Sequence, residues 1–115
     1  MVDTQEKKMA IEYANALMEY IKSEKDKHRL RVIELGVRKM LERELMEIKT
    51  KLEKYKKSEE RFISRYNMNF TEFEKRFEEG EFPEDSDMDY VEWYAVHDAY
   101  EYWEKKCDIL EGVLR

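Results

Sequence analysis

The side chains best suited to nucleophilic or acid–base chemistry are few. They are His28, His97, Cys107 and the serines Ser23, Ser58, Ser64 and Ser86. No serine lies in the Gly-x-Ser-x-Gly turn that exposes a nucleophile. Cys107 falls on an apolar helical stripe, so it reads as a small core residue. His97 and Glu101 stand four apart, with Asp98 and Glu104 nearby. A helical di-metal site needs Glu-x-x-His on two helices plus further inward carboxylates, and no Glu-x-x-His occurs. Cysteine pairs for zinc and a glycine-rich phosphate loop are also missing. Both histidines read as solvated or rim residues. The expectation is no catalytic residue, no metal ligand and no cofactor.

The chain must then act through its surfaces, and its charge is uneven. Of the 115 residues, 43% are charged and the formal net charge is −6. Residues 1–66 hold 17 Lys and Arg against 13 Asp and Glu, whereas residues 67–115 hold 5 against 15. No basic residue lies between Arg76 and Lys105, a gap with 11 carboxylates. From Phe62 to Trp103 the chain also carries 12 of its 15 aromatic residues. An acidic, aromatic-rich surface suits a basic partner. A solvated acidic face over an aromatic core is the plainer alternative.

The elements that position these residues follow from spacing. Three Gly and one Pro are too few for a turn-rich β fold. No apolar run approaches the length of a membrane helix, and the single Cys fits a reducing, cytoplasmic setting. Glu and Lys dominate and Gln5 is the only Gln, a composition like that of thermophile proteins. A first helix opens at Asp3 or Thr4, with apolar positions Met9, Ala10, Tyr13, Ala14, Leu17, Tyr20 and Ile21. Lys22–Arg29, which has nothing apolar, reads as a turn or bent joint, so residues 1–29 form the N-terminal helix and joint. Leu30, Ile33, Val37, Leu41, Leu45, Ile48, Leu52, Tyr55, Glu59, Phe62 and Tyr66 then step by three or four. They predict one amphipathic helix over 30–66, ~55 Å long at about 1.5 Å per residue, with Glu59 the one polar member of its stripe.

Asn67 suits a left-handed helix stop, and Asn69 with Glu72 forms a capping-box-like start. Phe70, Phe73 and Phe77 share a face of a short helix over 70–79, which Gly80 ends. After a loop holding Pro83, Asp87 or Asp89 caps a last helix over 88–114. Its seam is Trp93, Val96, Tyr100, Trp103, Cys107, Leu110 and Leu114. The expected fold is a single all-α domain. The long and last helices form an antiparallel hairpin joined by the short helix, with an N-terminal helix added. Trp93 should lie near Phe62, and Leu110 near Leu45.

The segment Tyr66-Asn67-Met68-Asn69-Phe70-Thr71-Glu72-Phe73, with the later Asp89-Tyr90-Val91-Glu92-Trp93, resembles small helical antitoxin-like proteins of archaea and bacteria. Their pattern is a Tyr-Gly-Met-Ser-Phe-Glu-Glu-Phe-like segment, an acidic loop and a Trp-bearing C-terminal helix. Asn67 stands at the Gly position and Asn69 at the Ser position, and both keep the turn chemistry. The resemblance covers roughly residues 30–114 and implies a protein encoded beside a toxin. Toxin nucleases bind RNA and present basic surfaces. The expected partner-binding residues are therefore Glu79, Glu81, Phe82, Glu84, Asp85, Asp87, Tyr90 and Tyr94.

Two other functions compete. One is a self-associating, coiled-coil-like protein, because the long stripe outruns the last helix and leaves Leu30, Ile33 and Val37 to a second copy or to the first helix. A homo-oligomer is therefore expected. The other is nucleic-acid binding by the basic face of residues 22–66, with 15 Lys and Arg against nine acids. Arg29–Arg38 loosely resembles the second helix of ribbon-helix-helix proteins, but no ribbon strand precedes it.

Overall fold

A computed structural model describes residues 4–115. It is all-α: α1 (Thr4–Ser23), α2 (Lys27–Tyr66), α3 (Phe70–Glu78) and α4 (Asp87–Leu114), with one 3₁₀ turn at Glu84–Ser86. The alternative first cap, Asp3, lies outside the described residues. The chain forms two compact units, Met1–Lys39 and Met40–Arg115.

In the first unit, α1 buries no residue. Met9 and Ile21 of its stripe are half-buried, while Tyr13, Leu17 and Tyr20 are exposed. The break between α1 and α2 is built from carboxylates. Glu24 Oε1 accepts from the backbone N–H groups of Lys25 and Asp26. Asp26 Oδ1 accepts from His28 N at 2.9 Å and Arg29 N at 3.4 Å, which caps α2. The cap starts the helix at Lys27, three residues ahead of the first apolar position. On α2 itself, Leu30, Ile33 and Val37 are half-buried.

The second unit is the expected hairpin. Arg65 pairs with Asp89 at 2.8 Å, Glu59 with His97 at 2.8 Å, and Lys49 with Glu111 at 3.2 Å. Residue numbers fall along α2 as they rise along α4, so the helices run antiparallel. Every predicted stripe position from Leu41 to Tyr66 and every seam position from Trp93 to Leu114 is buried or half-buried. Phe62 stacks on Trp93 with centroids 5.4 Å apart. At the other end, Ile48 and Cys107 are buried, and Leu110 shares a shallow hollow with Ile48. Burial pushes the Cys107 thiol up from its ordinary value, which keeps it protonated and unreactive.

The core is largely aromatic and sits where α2, α3 and α4 meet. Phe62, Phe70, Phe73 and Trp93 form its centre, and Phe73 and Trp93 have no exposed surface. Tyr66, Met68, Phe77, Phe82, Tyr90 and Val96 pack around them. Edge-on ring pairs such as Tyr66–Phe82 and Phe70–Trp93 add to simple apolar burial.

Candidate protein-interaction surface

Two short-range signals aim the chain into the acidic end. Asn67 has φ 55°, the left-handed conformation that Asn tolerates, and it stops α2. Asn69 Oδ1 then accepts from Glu72 N at 2.9 Å and starts α3. The Glu72 carboxylate turns forward to Arg76 Nε, at 2.8 Å. At the far end Gly80 has φ +75°. Its N–H donates to Phe77 O, and Glu81 N–H donates to Arg76 O. These two bonds are a complete Schellman stop, so the chain leaves α3 at a fixed angle.

The start of α4 differs from expectation. Ser86, not Asp87 or Asp89, holds the cap position, and its side chain makes no capping bond. Asp87 is already helical, with φ −59° and ψ −41°. Asp89 is drawn away, because its Oδ2 accepts from Arg65 Nη1 at 2.8 Å and from the Tyr66 hydroxyl at 2.5 Å. These donors hold the Asp89 carboxyl below its ordinary value. Burial, and the bond to an anion, push the Tyr66 hydroxyl up.

The structure divides the predicted partner-binding residues in two. Glu79, Glu81, Glu84, Asp85 and Asp87 are exposed around the loop and the 3₁₀ turn. Glu81 also lies 3.9 Å from Arg76. Phe82 turns inward, edge-on to Tyr66 and tilted against Phe73. Tyr90 also turns inward, flat on Phe77 with centroids 4.4 Å apart. Its hydroxyl donates to Glu74 Oε2 at 2.8 Å, and this bond together with burial pushes it up to about 12. Tyr94 is 51% exposed while its ring edges Phe70.

The structure adds Glu59 and Trp93 to the His97–Glu101 pair that spacing places on one face of the helix. Glu59 Oε1, the polar member of the α2 stripe, lies 2.8 Å from His97 Nδ1 and accepts from Trp93 Nε1 at 3.4 Å. His97 Nε2 faces Glu101 Oε1 at 3.1 Å, and the imidazole stacks on Phe70. A neutral ring donates to one of these carboxylates, an imidazolium to both. Beside it, Phe70, Glu74, Tyr94, His97, Asp98 and Glu101 line a shallow depression of about 210 Å³. The hints in the sequence were the four-residue spacing of His97 and Glu101 and a carboxylate, Glu59, at an apolar position. Among the described residues, no three His, Cys, Asp or Glu are grouped to hold a metal ion. Among them, too, no helix is long and apolar enough to cross a membrane.

No protein-family model, curated protein or solved structure matches this chain.

Proposed function

We propose that the chain is a protein-interaction module of antitoxin type, without catalysis of its own. Its acidic α3–α4 end masks a basic partner, a toxin nuclease, in a cytoplasmic setting. One observation carries the reading. Ten of the 11 carboxylates between Glu78 and Glu104 are exposed, and no basic residue interrupts them in the chain. A field of one sign raises the encounter rate with a basic surface and fixes orientation. Glu79, Glu81, Glu84, Asp85 and Asp87 supply the charge. Tyr94 is the exposed aromatic anchor, while Phe82 and Tyr90 brace the platform from inside.

The test reverses Glu84, Asp85 and Asp87 to Lys, because these exposed residues carry little of the fold. The binding partner to be tested is the product of the adjacent reading frame, expected on this reading to be basic. The wild-type chain should bind it with an association rate that falls steeply with salt, and the triple variant should lose most of that rate. Equal rates and equal salt dependence for the two chains would leave the acids as a solvated face only.

A further inference from the structure

Helix α4 meets α2 along Trp93, Tyr100 and Cys107, and meets α3 through Tyr90, Tyr94 and His97. Its third side is bare yet apolar. Met88 is 64% exposed, Val91 59%, Tyr102 52%, Ile109 66% and Val113 66%. With Ala95, also exposed, these residues recur at spacings of three, four and seven. They form a stripe roughly 120° around the helix from the seam, at about 100° per residue. A helix that only covers a core has no use for a second apolar stripe. Tyr102 and Ile109 also border a hollow of about 400 Å³ between α4 and α2, with Ile48 and Trp103 in its wall.

Charge along the helix selects the occupant. Asp87–Glu104 holds six carboxylates and no Lys or Arg, whereas Lys105–Arg115 holds three bases against Asp108 and Glu111, and Glu111 is paired with Lys49 of α2. Asp98 interrupts the stripe in its acidic half and Lys105 interrupts it in the other. On the stripe itself, a wholly basic partner would complement Asp98 and oppose Lys105. A second α4 running antiparallel complements both.

We propose that this face pairs with the same face of a second copy, antiparallel, about a two-fold axis at Tyr102. That register sets Tyr102 on its own mate, Val91 on Val113 and Ala95 on Ile109. Asp98 then faces Lys105 and Lys106 of the second chain. A parallel pair would set Asp98 against Asp98, so only the antiparallel order removes the like-charge contact.

The test is disulfide trapping in the full chain. Tyr102→Cys should form a covalent dimer under mild oxidation. Ile109→Cys should not, because its mate lies ~20 Å away along the axis at about 1.5 Å per residue. The native Cys107 is buried, and the unsubstituted chain controls for it. Asp98→Lys should weaken the dimer ~10-fold in sedimentation, and adding Lys105→Glu and Lys106→Glu should restore it. A chain that stays monomeric at every concentration overturns the proposal. So does a Tyr102→Cys chain that stays uncrosslinked, or an Ile109→Cys chain that crosslinks equally well, the mark of parallel or random contact.

Discussion

The Glu59 carboxylate sits 2.8 Å from Nδ1 of His97, across the α2–α4 interface, at a stripe position that every neighbouring turn gives to an apolar residue. The same Oε1 accepts from the indole of Trp93, which has no exposed surface. A carboxylate is tolerated there because Trp93 must place an N–H inside the core and needs an acceptor. Glu59→Ala should cost about 1–3 kcal/mol by leaving that N–H unpaired. Glu59→Gln, which keeps an oxygen at the site, should cost less. Chemical denaturation of the two variants checks the order, and equal costs would mean that the indole bond contributes nothing.

The two tryptophans of α4 should behave differently. Trp93 is fully buried against Phe62, Phe70 and Phe73. Trp103 is half-buried, with the Lys51 ammonium 4.0 Å over its ring. Trp93→Ala should cost ~3–5 kcal/mol, the range for emptying a packed aromatic site. Trp103→Ala should fall well below that, since water already reaches part of the ring. Equal losses in thermal or urea unfolding would contradict this division of the core.

What the sequence made legible was whatever is encoded within one or two turns. The three-and-four spacing from Leu41 to Tyr66 and from Trp93 to Leu114 marked the inward faces. Asn67, Asn69 and Gly80 marked the turns, because each acts on backbone within a few residues. Asp26 was harder, being one polar residue in a run that is polar throughout. The fate of Asp89 depended on Arg65 and Tyr66, more than twenty positions away. The acidic surface was visible as a run of like charge. That Phe82 and Tyr90 would leave that surface for the core, while Tyr94 stayed on it, was not. Helical spacing places Tyr90 and Tyr94 on one face, and only the position of α3 separates them.

The two signals that bound α3 should each show in stability. Asn69→Ala removes the acceptor for Glu72 N and should cost ~1 kcal/mol. Gly80→Ala has open space for its methyl group, but φ +75° disfavours any side chain, so it should also cost about 1 kcal/mol. Gly80→Asn should recover part of that loss, because Asn tolerates the left-handed region. If Gly80→Ala proves neutral in equilibrium unfolding, the Schellman stop is not rigid.

Two groups at the α2–α3–α4 junction should give stability opposite dependences on pH. Arg65 and Tyr66 hold the folded Asp89 carboxyl below its ordinary value. The folded state therefore binds this proton less readily than the unfolded chain. The Asp89 contribution is complete above the unfolded value of ~3.9, and is lost as pH falls through the lower folded value. Tyr90 is the reverse case. Its bond to Glu74, with burial, raises it to about 12 when folded. Its contribution is complete below the unfolded value of ~10 and disappears as pH rises through about 12. Asp89→Asn should thus lower stability at neutral pH and converge with the wild-type chain in acid. Tyr90→Phe, missing one hydrogen bond, should lie ~1 kcal/mol below wild type at neutral pH and converge with it in strong alkali. Stability measured across pH for all three chains checks both slopes. A Tyr90→Phe curve parallel to wild type through the alkaline range would show that the Tyr90–Glu74 bond is not what sets that slope.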